Sequence, residues 1–246
     1  MCIIAIKKRE IAYPSHQRVK NMCQNNNDGF AIVWHVIGQP VRNYRTLSEK
    51  KFLKKYHEIT STYKAKDVSL FIHARIKTHG TQKLENCHGW IEDKIGLAFA
   101  HNGILSIKNR DDMTDSETFF RDIFTPAFEI GGWDAGERAI NACIGTSKFC
   151  FMDMYGNLIH YGKYINGDDG ILYSNDSYLE RTWNRYGGCC YPSAYNRAWD
   201  KFDRYYDKEK GKSVSTPSKI KTPVVQDAYD DWYNSEEYWK DRPLPL

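Results

Sequence analysis

Cys2-Ile3-Ile4-Ala5-Ile6-Lys7 is an apolar, β-branched run that begins almost at the first residue of a 246-residue chain. A run of this kind reads as a buried β-strand. The first few residues of most domains fray, so a strand here would hold residue 2 rigidly inside the fold. The segment from Met1 to Glu10 lacks the basic stretch and long apolar core of a signal peptide, and its apolar run is far too short to cross a bilayer. A reducing cytoplasm is therefore the expected location, and no membrane partner is expected.

Working outward, a second strand is predicted at 29–37, preceded by the turn formers Asn25, Asn26, Asn27 and Asp28, and a lysine-rich helix at 47–62. Strands follow at 68–75 and 94–101, and Asn102-Gly103 directly after the latter is a tight-turn signal. Thr114-Asp115-Ser116-Glu117 has the capping-box pattern and opens a helix to about 127; a second helix is predicted at 134–144. Strands resume at 148–154 and 157–164, joined at Tyr155-Gly156-Asn157, with one more at 170–174. Strands, then helices, then strands imply an α+β fold with layered antiparallel sheets rather than a doubly wound parallel sheet. Residues 1–207 read as one domain. From 208 to 246 the composition shifts to a solvated linker and an acidic, aromatic tail that is either poorly ordered or a docking segment.

With 41% hydrophobic residues the chain can bury a substantial core without staples. Its 35 Lys and Arg against 31 Asp and Glu leave a charge of +4 spread along the sequence, too dilute for a charge-driven polyanion binder, so no nucleic-acid partner is expected. Seven cysteines form an odd set without a C-x-x-C pair, which argues against both a disulfide framework and a structural zinc site. His73, His79, His88 and His101 fall at separate strand ends without metal-ligand spacing, so neither metal nor cofactor is expected.

Several segments carry chemistry. Removal of Met1 would give Cys2 both a thiol and a free α-amine, whose unperturbed pKa of about 7.7–8.0 suits it to accept the thiol proton. Arg75-Ile76-Lys77-Thr78-His79-Gly80 closes a strand with a guanidinium, a hydroxyl and a glycine, the equipment to clamp a carboxylate. At His101-Asn102-Gly103 a side-chain amide and a backbone N–H can converge on an oxyanion, and Asp115 offers a carboxylate to an ammonium group. Each has a plainer alternative: a surface ion pair for Arg75, a hairpin turn for Asn102-Gly103, a helix cap for Asp115. Cys87 and the vicinal Cys189-Cys190 read as incidental thiols, and the aromatic stretch 183–206 as packing.

The ordered set resembles the class II glutamine amidotransferases, which are N-terminal-nucleophile hydrolases. Met1-Cys2-Ile3-Ile4 is similar to the family's Met-Cys-Gly-Ile, and Asn26-Asn27-Asp28-Gly29-Phe30-Ala31 to its Asn-Pro-Asp-Gly-Trp-Gly. Arg75, Thr78, His79 and Gly80 match its Arg-Trp-Ala-Thr-His-Gly. Asn86-Cys87-His88-Gly89-Trp90 resembles Asn-Thr-His-Pro-Phe, and His101-Asn102-Gly103 is identical to its His-Asn-Gly. Thr114-Asp115-Ser116-Glu117 and Tyr173-Ser174-Asn175 are similar to Ser-Asp-Thr-Glu and Tyr-Ser-Asn. The matches run in family order over about residues 1–180.

This resemblance implies a four-layer αββα sandwich and a glutamine-hydrolysing enzyme. It implies Cys2 as nucleophile, Asn102 and the Gly103 backbone as oxyanion hole, Arg75 with Thr78 and His79 as ligands of the substrate α-carboxylate, and Asp115 as ligand of its α-ammonium. Ile3 and Ile76 stand where family members usually have Gly and Trp, and both are expected to alter the walls around the substrate. Ammonia-transferring members carry a large synthase domain for which this chain has no room, so the expected acceptor is a separate synthetase, another acceptor protein, or water. The alternatives are a hydrolase of another γ-glutamyl or amide compound and an inactive binding protein on the same fold.

Overall fold

The predicted N-terminal strand is present. In the computed structural model, which describes residues 2–76, 83–110 and 113–180, β1 (Ile3–Lys7) is buried along its whole length. It pairs antiparallel with β4 (Val68–Arg75) on one side and β10 (Leu172–Tyr173) on the other. With β2 (Gly29–Val36), β3 (Arg42–Thr46) and β9 (Ile165–Asn166) they form a six-stranded sheet in the order β3-β2-β4-β1-β10-β9. A second sheet joins β5 (Trp90–Glu92), β6 (Leu97–Asn102), β7 (Lys148–Asp153) and β8 (Leu158–Tyr161) in sequence order. Every pairing is antiparallel, as the α+β expectation required.

Strand alternation assigns the faces. Ile4, Ile6, Val33 and Phe71 of the first sheet share a buried cluster with Ala98, Ala100, Cys150 and Met152 of the second. The alternate residues of the second sheet, Leu97, Phe99, Phe149 and Phe151, pack on Phe119, Phe120, Phe124 and Ile140. Rings there meet at aromatic-pair distances, Phe99 to Phe120 at 4.9 Å and Phe124 to Phe151 at 4.6 Å. The second sheet is thus buried on both faces.

Helix α2 (Glu49–Thr62) starts at Ser48, whose hydroxyl accepts from the Lys51 amide at 3.4 Å. It buries Phe52, Leu53, Tyr56 and Ile59, a helical stripe, and the Phe52 ring stacks on Phe30 of β2 at 5.4 Å. Helix α1 (His16–Asn25), capped by Ser15, has no counterpart in the sequence reading, because its buried face mixes Lys20 and Asn21 with Val19, Met22 and Cys23. The edge strand β3, only partly buried, was likewise not foreseen. Helix α3 (Asp115–Thr118) continues through a π turn at 119–124 into α4 (Thr125–Cys143). The two helices predicted at 114–127 and 134–144 are both present, separated where Gly131 and Gly132 leave helical geometry.

One turn expectation is corrected. Asn102 and Gly103 do not form a hairpin: Asn102 is the last residue of β6, opposite Lys148 of β7, and the chain runs on toward the helices. The hairpin at 154–157 is present, with Asp153 accepting from the Tyr155 and Asn157 amides at 2.9 and 2.8 Å. The expected linker and tail at 208–246 and the aromatic stretch 183–206 lie outside the described residues, as do Cys189 and Cys190. No described helix is long and apolar enough to cross a membrane.

Phe99 touches Phe119, Phe120, Phe149 and Phe151 and has no exposed surface. Its replacement, Phe99→Ala, is expected to cost about 3–5 kcal/mol, read as a lowered urea midpoint with an unchanged slope.

Candidate active site

Three strand ends meet at one edge of the two sheets. The β1–β4 register pairs Ile3 with Ala74, so one residue further out Cys2 lies across from Arg75. On the other side Arg75 pairs with Gly29 of β2. Gly29 is required there, since a Cβ would lie 2.4 Å from the Cys87 sulfur. Arg75 is 6% exposed and its Nη1 has no hydrogen-bond partner. Among the described residues no carboxylate forms an ion pair with it. A buried guanidinium with an unfilled donor is an incomplete arrangement, and a carboxylate ligand would complete it.

The Cys2 sulfur lies 3.8 Å from the Ile76 carbonyl oxygen. Burial pushes its thiol pKa up, while the Ile76 backbone and the Arg75 charge pull it back. Asn102, 1% exposed, closes β6 and donates through Nδ2 to the Ser174 hydroxyl at 2.7 Å. Its Oδ1 is buried without a partner. Ser174 also accepts from the Ile4 amide at 2.8 Å, and Asn175 donates to the Cys2 carbonyl at 2.6 Å. The backbone of the cysteine strand and the asparagine amide are thereby tied to one short segment.

Gly103 follows with φ 149°, and a Cβ there would sit 2.1 Å from the Ser147 hydroxyl oxygen. Only glycine fits. Asp115 is the first residue of α3. Thr114 is the cap, accepting from the Glu117 amide at 3.2 Å, and the Glu117 carboxylate turns to Arg121, so the capping box is half made. Asp115 Oδ2 instead accepts from the Leu105 amide at 2.7 Å, and Oδ1 from the Ser116 amide at 2.8 Å. The carboxylate therefore ties the loop after Gly103 to the helix start. Thr78 and His79 lie outside the described residues.

No family model matches the chain. A curated protein of Haemophilus influenzae, "Putative glutamine amidotransferase", is 30% identical over 106 residues, which is 42% of this chain and 35% of that protein. The chain matches about a third of the length of that relative. Among solved structures, glutamine phosphoribosylpyrophosphate amidotransferase from B. subtilis aligns with a TM-score of 0.47 and 16% identity, over 70% of this chain and 41% of that one. A glutamine aminotransferase class-II domain protein from Silicibacter pomeroyi aligns with a TM-score of 0.40 and 16% identity, over 70% and 87%. Both structural likenesses are distant. The chain resembles a glutamine amidotransferase.

Two features of the resemblance change in three dimensions. Ile3, in place of a family glycine, is fully buried and pairs with Ala74, on the sheet face opposite Cys2. Its register neighbour Ala74 is paired on the other side with Phe30. The main-chain carbonyl of Ile76 lies against the cysteine sulfur. The histidines also meet: His73 and His88 stack at 4.1 Å, and His88 lies parallel to His101 at 6.1 Å. His88 Nδ1 accepts from the His101 amide at 3.1 Å, and His101 Nδ1 contacts the Ser116 hydroxyl at 2.7 Å. Parallel rings do not converge on one ion, and among the described residues no group of three ligands could hold a metal. Spacing in sequence gave no sign of this stack, nor of the bonds made by Ser174 and Asn175.

Burial holds these imidazoles neutral. His73 is lowered to about 3 by burial, helped by His101 and Arg75, and His101 to about 4 by burial against the opposing pull of Asp115. The unfolded chain, with histidines near 6.5, then binds more protons than the folded one below that pH. Stability is accordingly full above about pH 6.5 and falls as pH drops toward the folded values. Urea midpoints measured between pH 7 and pH 5 are expected to decline steadily over this interval, above most carboxylate titration; a flat profile would contradict a buried neutral stack.

Proposed function

We propose that the protein is a glutamine amidohydrolase of the class II type, an αββα sandwich whose nucleophile is Cys2 after removal of Met1. The observation that carries this is the placement of Cys2 across from Arg75, whose buried guanidinium has an unfilled donor, with Asn102 tied to the same strand through Ser174. The motif order and the partial match to a curated amidotransferase support the same function.

In this mechanism Arg75, with Thr78 and His79, holds the glutamine α-carboxylate by charge-assisted hydrogen bonds. Asp115 receives the α-ammonium on lone pairs that its bonds to Leu105 and Ser116 leave open. The Cys2 α-amine takes the thiol proton, and the thiolate attacks the δ-carbonyl carbon. Asn102 Nδ2 and the Gly103 N–H stabilise the tetrahedral oxyanion. As the intermediate collapses the ammonium returns its proton to the leaving nitrogen, ammonia departs, and a γ-glutamyl thioester remains. Water then cleaves the thioester to glutamate and free thiol. Because burial raises the thiol pKa, deprotonation by the adjacent amine is needed at neutral pH. The ammonia acceptor is a separate synthetase or acceptor protein, or water serves as sole acceptor. The described cysteines are free thiols, in keeping with a reducing cytoplasm.

Ile76, which stands where the family has tryptophan, favours a second reading, hydrolysis of another γ-glutamyl or amide compound.

Intact mass of the purified chain is expected to show loss of Met1, and the processed protein to release glutamate and ammonia from glutamine, with Cys2→Ala abolishing both. A processed, folded protein without turnover on glutamine would sink the first reading and move attention to other γ-glutamyl amides. Arg75→Lys, which keeps the charge but loses the bidentate fork, is expected to raise KM for glutamine about tenfold or more, with a smaller change in kcat. An effect on kcat alone would contradict the carboxylate role.

A further inference from the structure

We infer that Ser174 is a positioning residue for the oxyanion donor, holding the Asn102 amide in register with the nucleophile strand; this rests on the amidohydrolase reading above. The Ser174 hydroxyl is 3% exposed and receives two donors at once, the Ile4 amide of β1 at 2.8 Å and Asn102 Nδ2 of β6 at 2.7 Å. Those strands belong to different sheets. One oxygen atom therefore couples the backbone two residues beyond Cys2 to the side chain that faces the developing charge.

The asparagine amide has two N–H donors. The bond to Ser174 occupies one and fixes the plane of the amide, so the second proton has a defined direction and is left for the oxyanion. Without it the amide turns about its last torsion, which is broad and weakly staggered, and the donor is no longer held at one place. Preorganised donors stabilise a transition state because they need not reorient as charge develops.

Ser174 is itself held firmly. Its backbone N–H donates to the Ile4 carbonyl at 2.9 Å. The following segment is fastened to α1: Asn21 donates to the Tyr178 carbonyl at 3.1 Å, Asn25 to the Ser177 carbonyl at 2.9 Å, and the Tyr173 and Tyr178 rings stack at 3.8 Å. Arg18 on the same helix forms ion pairs with Asp168 and Asp169, which precede β10. The unforeseen helix α1 thus acts as the mount for the segment that aims Asn102.

The test is a double-mutant cycle in the full processed chain, with kcat and KM for glutamine measured for the wild type, Ser174→Ala, Asn102→Ala and the double variant. Removing an oxyanion donor costs about 100- to 1000-fold in kcat, so Ser174→Ala, which leaves the donor present but unheld, is expected to lower kcat by about tenfold with KM within about twofold. In the Asn102→Ala background the same change should lower kcat by less than about twofold. Ser174→Cys, with similar volume and a weaker acceptor, covers the case in which the alanine variant does not fold; its kcat should fall with unchanged KM. Equal losses in both backgrounds, a loss confined to KM, or a wild-type kcat in Ser174→Cys would overturn the inference while leaving the amidohydrolase reading intact. A wild-type chain with no glutaminase activity would sink both.

Discussion

The central placement of β1 is the constraint on which the site depends. A residue next to a chain terminus has no covalent anchor on one side, so its position must come from hydrogen bonds to neighbouring strands. Here β4 pairs with β1 over Ile3 to Lys7, and β10 pairs with Ala5 and Ile6 from the other side. The Ser174 amide extends that second ladder to the Ile4 carbonyl. Both edges of the strand are occupied, as the cost of leaving buried backbone N–H and C=O groups unpaired demands, and residue 2 is carried to a fixed point beside Arg75. Fraying, the usual fate of a terminus, is suppressed by burial of the whole strand.

Around that point the electrostatics are spare. Arg75 is the buried cation, and its charge acts on thiols and imidazoles: Cys2, Cys87, His73 and His88. Burial keeps the histidines neutral, so the guanidinium is not opposed by a second cation. The carboxylate proposed for the site, Asp115, is tied to Leu105 and Ser116. Among the described residues no carboxylate pairs with Arg75; a buried charge without a partner is costly, and the proposed α-carboxylate would relieve it. Stored mismatch of this kind makes binding of the right ligand selective.

Of the two departures from the amidotransferase pattern, Ile3 is placed by strand geometry. Adjacent residues on a strand point to opposite faces. Ile3, next to Cys2, faces the layer that contains Phe30 and Phe52 and stabilises the fold. The main-chain carbonyl of Ile76, next to Arg75, lies 3.8 Å from the sulfur.

Local chemistry was enough to read much of this protein from its sequence. The β-branched run at Cys2–Lys7, the strand at 68–75 and the helix after Ser48 all follow from short-range pattern, because period and capping are properties of neighbouring residues. Where polar residues interrupt a buried face, as Lys20 and Asn21 do on α1, the pattern weakens and the element was missed. Asn102-Gly103 shows the opposite failure: a sequence that favours a hairpin was overridden by pairing with Lys148 on β7. The identity of the candidate reactive groups was thus legible in sequence, since it depends on residue type and order. Their mutual placement was decided only by tertiary structure: the contacts of Asn102 with Ser174, of Asn175 with Cys2, and of His73 with His88 join residues far apart in the chain, and only the pairing of strands across two sheets brings them together.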